Sequence, residues 1–337
     1  MMKLIQSLST IFLLFSIVLL CVSICPVFGK APDTAKIVFT SLRNGNREVY
    51  IMDTNGQNEI NLTEHPADDI QPTWSPTGEH ILFVSNRDGM HDLYLMEPDG
   101  SNVQRVFEEK SHRVAPIWSP DGKRIAYVHN GLQLTVNIAT KDGKGVEVLT
   151  FVDDHLYVNL AWSTDGTEIA FDNIIQFHRT HIINLQTRTV EPLLPELQFV
   201  ILNVEWSPDG KQLAFAGMEC VGNQACRLKD FDDLTVYVVN RDGTGLEQIV
   251  VKGDFRADYP VWSPQGNALL YQQKVKGVLG NFDETQLFRR ILDREKPKQL
   301  TAISRNLYAD WFDPAYALPV SPQPKLLTTT WGEVKKQ

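Results

Sequence analysis

Three histidines precede three tryptophans by similar distances. His65 stands nine residues before Trp74, His112 six before Trp118, and His155 seven before Trp162. Imidazoles grouped in this way can hold a metal or move protons near neutral pH. The offsets differ, however, and no paired-ligand spacing accompanies them, so no metal and no cofactor are expected. His178-Arg-Thr-His181 is not a ligand pair either, because positions i and i+3 of a strand face opposite sides. Arginines keep company with these histidines: Arg43, Arg47, Arg87, Arg113, Arg179 and Arg256. Together with His91, Asp69, Asp154 and Asp258 they could recognise a peptide or an acidic ligand by charge-assisted hydrogen bonds. No Gly-x-Ser-x-Gly elbow is present, so the nucleophile of an α/β-hydrolase is missing.

The elements that carry these residues follow from a repeat. Trp74-Ser-Pro-Thr-Gly78 recurs as Trp118-Ser-Pro-Asp-Gly122, Trp162-Ser-Thr-Asp-Gly166, Trp206-Ser-Pro-Asp-Gly210 and Trp262-Ser-Pro-Gln-Gly266, with a degenerate Trp311-Phe-Asp-Pro314. The intervals are 44, 44, 44, 56 and 49 residues, each fitting one four-stranded propeller blade. The first strand ends at the tryptophan, and a Ser-Pro-Asp-Gly turn follows, with proline fixing φ and glycine accepting φ > 0. A short apolar strand such as Ile81-Leu-Phe-Val84 comes second, and an alternating one such as Asp92-Leu-Tyr-Leu-Met96 third. A short fourth strand often ends in Leu-Thr. The chain starts on a second-type strand, Ile37-Val-Phe39, and Trp311 closes a first-type strand with no successors. The two fragments make one blade. An all-β, six-bladed propeller of four-stranded antiparallel blades is expected, its first blade closed by the N- and C-terminal strands, which removes an open seam.

In this topology the fourth-to-first and second-to-third connections share one face of the disc. The predicted ligand-binding set lies there, at the channel mouth: His65, Asp69, Arg87, His91, His112, Arg113, Asp154, His155, His178, Arg179, Arg256 and Asp258. The long interval adds Cys220-Val-Gly-Asn-Gln-Ala-Cys226 to the same face. Trp74, Trp118, Trp162, Trp206, Trp262 and Trp311 are assigned to packing between blades, since a buried indole removes about 200 Å² from water, worth about 5 kcal/mol. The Asp-Gly turns concentrate too few carboxylates for calcium.

These motifs resemble the TolB-like propeller repeat, a WD-repeat-like unit of exported proteins, over residues 36–313. The resemblance implies a non-catalytic binding or scaffolding propeller whose partner is an envelope protein, a peptide or a small ligand. Two other readings stay open: a metal-dependent propeller lyase acting on acidic oligosaccharides, and a non-catalytic relative of propeller-type peptidases. The chain departs from the family's namesake in that no α/β domain is expected before the first blade.

Residues 1–29 read as a signal peptide: Lys3, an apolar run from Ile11 to Val22, then Pro26 and Gly29. Cleavage after Gly29 is expected, and an uncleaved anchor is the weaker alternative. Cys21 and Cys25 follow Leu20 and Ile24, which argues against lipidation. A periplasmic or secreted chain without stable membrane insertion follows. Cys220 and Cys226 remain as an even pair, which an oxidising compartment would couple. The formal net charge is −9 without a basic run, which disfavours nucleic acid as a partner. A monomer is expected, and residues 314–337 form a tail that could pack on the ring.

Overall fold

The computed structural model describes residues 30–152, 159–173, 179–219, 232–251, 255–276, 283–293 and 296–319. Among them run twenty-four strands, β1 to β24 in chain order, and no α-helix. They form six four-stranded antiparallel blades around a central channel. The first blade is spliced as the repeat predicts. β24 (Asn306–Phe312) pairs with β1 (Lys36–Ser41), with Ile37 opposite Trp311, and β2 (Glu48–Asp53) and β3 (Ile60–Asn61) complete it.

Five of the six inner strands end at their tryptophan: β4 (Asp69–Trp74), β8 (Arg113–Trp118), β12 (Leu160–Trp162), β16 (Phe199–Trp206) and β20 (Ala257–Trp262). The second strands are buried through their middle, and β5 (Ile81–Ser85) along its whole length, because a blade is covered by its neighbours on both faces. Outer strands are short, two residues in four of the blades, which limits the exposed edge.

The tryptophans lie between blades. Trp74 packs against Val38, Val49 and Ile51 of the blade before it, and Trp118 against Leu82, Val84 and Leu93. Trp162, Trp206 and Trp262 are likewise buried, while Trp311 is partly buried. None of the six indole N–H groups meets an acceptor among the described residues, so their contribution is apolar packing. Arg241 also stacks over Trp206 at 4.7 Å.

The repeat turn has a local cause. Ser119 Oγ donates to Asp121 Oδ1 at 2.6 Å and accepts from Arg124 N at 2.9 Å, and Gly122 N closes onto Ser119 O. Ser163 and Ser207 repeat the bond to Asp165 and Asp209. The Asp-Gly turn between third and fourth strands needs glycine twice over. Gly100 has φ of +85°, and a Cβ there would stand 2.4 Å from Leu62 O of the preceding blade.

Candidate functional site: the central channel and its mouth

The inner strands wall a channel with a cavity of 260 Å³ to which all six blades contribute. Five of these strands carry a bulge three residues before the tryptophan. Gln71, Ala115, Asn203, Tyr259 and Tyr308 adopt φ of 49–52°, and the register slips at each point. The bulge takes an N–H out of the ladder, and side chains replace the lost acceptor. Gln71 N donates to Thr40 Oγ1 at 3.2 Å, Ala115 N to Gln71 Oε1 at 3.0 Å, Asn203 N to Asp172 Oδ2 at 3.1 Å, and Tyr308 N to Gln272 Oε1 at 3.2 Å. Every one of these bonds crosses from one blade to the next, so the channel wall is a latched ring.

Two acids line the channel, each directly before a tryptophan. Asp310 Oδ2 accepts from Thr73 Oγ1 at 2.8 Å and Trp74 N at 2.7 Å, and Oδ1 from Trp311 N at 2.7 Å. Burial raises its pKa against those bonds. Glu205 accepts no hydrogen bond among the described residues. Burial, with the charge of Asp310 nearby, pushes its pKa up to about 8. Tyr259 and Tyr308 stand two positions earlier on their strands, with rings edge to face at 5.0 Å. Burial raises the Tyr259 pKa well above that of a free phenol, so it is a neutral donor.

At the mouth, the predicted charges are largely held by one another. Arg87 Nη2 bonds both oxygens of Asp69 at 3.0 Å and stacks over Tyr94. Arg113 Nη1 bonds both oxygens of Asp92 at 2.8 and 3.0 Å and lies 3.9 Å over the Phe107 ring. Arg256 Nε bonds Asp258 Oδ2 at 2.5 Å. Burial raises the pKa of Asp69 and Asp258, with the neighbouring arginine opposing it. These pairs brace the rim. Arg43 does the same in the first blade, bonding Asn306 and Glu59 and stacking over Tyr50.

The imidazoles are brought together in part. The His91 and His112 rings lie 5.7 Å apart, and His129 Nε2 is 2.7 Å from Ser111 Oγ. Burial, then His112, lowers the His91 pKa. His65 stands apart in the preceding connection, its Nδ1 accepting from Ala67 N at 3.0 Å. No group of three or more His, Cys, Asp or Glu able to hold a metal occurs among the described residues. Asp154, His155, His178, Cys220 and Cys226 lie outside the described residues, and of Arg179 only the backbone is described, opening β14 (Arg179–Asn184).

Reading the sequence by residue type missed Glu205, Asp310, Tyr259 and Tyr308. Stacking the repeats on their tryptophans exposes them. The preceding position reads Thr73, Ile117, Ala161, Glu205, Val261 and Asp310, so two carboxyls interrupt a neutral column.

Fold and site together define a six-bladed β-propeller with a latched central channel. A model of the TolB beta propeller domain matches residues 19–155. Over 49 residues the chain is 41% identical to the Tol-Pal system protein TolB of Geobacter sulfurreducens; this segment is 14% of the chain and spans 11% of that relative. Among solved structures, TolB from Acinetobacter baumannii superposes with a TM-score of 0.67 at 16% identity, covering 82% of this chain and 66% of that one. A putative TolB from Agrobacterium tumefaciens gives 0.60 at 16% identity, covering 81% and 91%. The chain is a six-bladed β-propeller, and its first 155 residues carry the stretch that is similar to the TolB propeller domain.

Proposed function

We propose that this chain is an exported, non-catalytic binding propeller that takes a protein partner, through an extended peptide segment, at the channel mouth. The carrying observation is the channel itself. All six blades wall it, crossing hydrogen bonds hold its shape, and Glu205 within it has no structural bond among the described residues. Such a preformed cavity, lined by both polar and apolar groups, suits ligand capture. The rim pairs Asp69–Arg87, Asp92–Arg113 and Arg256–Asp258 would keep the mouth rigid, leaving His65, His91 and His112, with Asp154, His155, His178 and Arg179, to touch the ligand. The predicted leader supports a periplasmic or extracellular location, as does the repeat shared with proteins named for the Tol-Pal system. No helix of the described residues is long and apolar enough to cross a membrane.

The test uses the chain from Lys30 onward, immobilised and challenged with envelope extract from its own organism. A retained protein is identified, purified and titrated against wild type and a channel-filling Asn159→Trp variant of matched melting temperature. Retention by wild type and at least tenfold weaker binding to the variant is expected. Equal affinity for both, or no retained protein across a range of salt, would contradict the reading.

A further inference from the structure

The residues lining the channel include two carboxyls and no Lys, Arg or His among the described residues. Acids elsewhere in the ring are spoken for. Asp69 has Arg87, Asp92 has Arg113, Asp258 has Arg256, and Asp172 has Thr180 Oγ1 and Asn203 N. Glu205 alone among these stands over a cavity without a hydrogen bond, and the acid nearest to it in effect, Asp310, adds like charge rather than relief. Burying a carboxyl in this way is costly and stabilises nothing in the free fold.

The surroundings specify what would satisfy it. Asp310 already accepts three bonds, two at Oδ2 and one at Oδ1, so it has room for a single further donor, and a guanidinium could fork onto Glu205 alone rather than onto both acids. A compact point charge needs only single lone pairs, and an ammonium brings three donors. Asn159 and Asn203, from the fourth and fifth blades, supply further polar groups to the wall. Tyr259 and Tyr308 sit two positions nearer the mouth on their strands, and aromatic faces attract cations. A side chain entering from the mouth would pass the tyrosines before reaching the carboxyls, and 260 Å³ admits a side chain but not a folded domain.

We propose that the channel is a binding site for one primary ammonium group, seated between Glu205 and Asp310 beneath the Tyr259–Tyr308 pair. This rests on the binding role proposed above and names the chemical group that enters the channel. A lysine side chain of a partner peptide and a free alkylamine share that chemistry. Cation binding here has a consequence for protons. Glu205 holds one at neutral pH, so an arriving cation must displace it. Binding therefore tightens as pH rises, about tenfold per unit below the pKa for a one-proton exchange, and levels off above it.

Calorimetry with three probes tests this: Nα-acetyl-lysine amide, n-butylammonium chloride and Nα-acetyl-norleucine amide, on wild type and Glu205→Gln. Binding of the ammonium probes but not of norleucine amide is expected, with proton release measured in buffers of different ionisation enthalpy. Glu205→Gln should lose both the affinity and the pH slope. Tighter binding of lysine amide than of butylammonium would assign the site to peptide lysine, and equal binding to free amines. Norleucine amide binding as well as lysine amide, no binding of either ammonium probe, or an unchanged slope in Glu205→Gln would overturn the site. An envelope partner that binds wild type and Glu205→Gln equally would sink the ammonium site and leave the binding role standing. Ammonium binding without any retained partner would do the reverse.

Discussion

Asp172 Oδ2 accepts the backbone N–H of Asn203 at 3.1 Å, although the two residues belong to different blades. The bond exists because Asn203 sits at a bulge with φ of 50°, where the ladder cannot use its N–H. Thr180 Oγ1 lies 2.7 Å from Asp172 Oδ1 and 2.9 Å from Ile201 O of the next blade's inner strand, with one proton to give to either acceptor. The fourth and fifth blades are thus joined near the mouth, where Arg179 also pairs in parallel with Ile201.

Removing this latch should destabilise the ring. Asp172→Ala leaves the Asn203 N–H buried without an acceptor, a loss of about 1–3 kcal/mol. Thermal unfolding monitored by circular dichroism checks it. Asp172→Asn, which keeps a carbonyl acceptor, should lose less.

Acid should help rather than harm this protein within limits. Burial pushes the pKa of Asp172 up to about 7 and that of Glu205 up to about 8, and raises those of Asp69, Asp258 and Asp310. A carboxyl with a raised folded pKa binds more protons folded than unfolded in the window above its unfolded pKa. Its stabilising effect is therefore complete near pH 4 and lost as pH rises through the folded value. Burial lowers the pKa of His80, His91 and His129, which acts in the opposite sense below about pH 7, so the carboxyls are read above it: the melting temperature should be higher at pH 7 than at pH 8.5, and the difference should shrink in Asp172→Asn. A flat profile in the wild type would count against these environments.

Two glycine substitutions should separate conformational strain from close approach. Gly89→Ala meets open space and strains only φ, at +99°. Gly100→Ala adds a collision with Leu62 O across the blade interface. Both destabilise, and Gly100→Ala should cost more, beyond the roughly 1 kcal/mol of a left-handed position. Denaturant midpoints decide the order.

Loss of a blade wedge should cost more still. Trp118 is 8% exposed and packs on Leu82, Val84 and Leu93 of the preceding blade. Trp118→Ala should lose about 3–5 kcal/mol, as large-to-small core changes of this size do. Its indole N–H meets no acceptor, so Trp118→Phe should recover a large part of that loss, read again from unfolding.

The blade count and the splice were legible because both follow from local signals, the tryptophan spacing and the turn residues behind it. The bulges were not. Gln71, Ala115, Tyr259 and Tyr308 adopt a positive φ without a glycine to announce it, so nothing in their residue types marks the bulge. The rim charges could be gathered on one face from topology alone. That Arg87 is held by Asp69, eighteen residues before it, depends on how strand ends meet, which composition does not encode. The carboxyls of Glu205 and Asp310 were readable in principle, as two interruptions of one column in the stacked repeat.

The most direct test of the central claim is a hydrogen–deuterium exchange footprint of the purified partner on this chain. Binding at the mouth and channel should slow exchange in the connections around 63–69 and 107–113 and along the inner strands at 203–205 and 308–310. Protection confined to the outer strands or to the Ser-Pro-Asp-Gly turn face, with these segments unchanged, would contradict it.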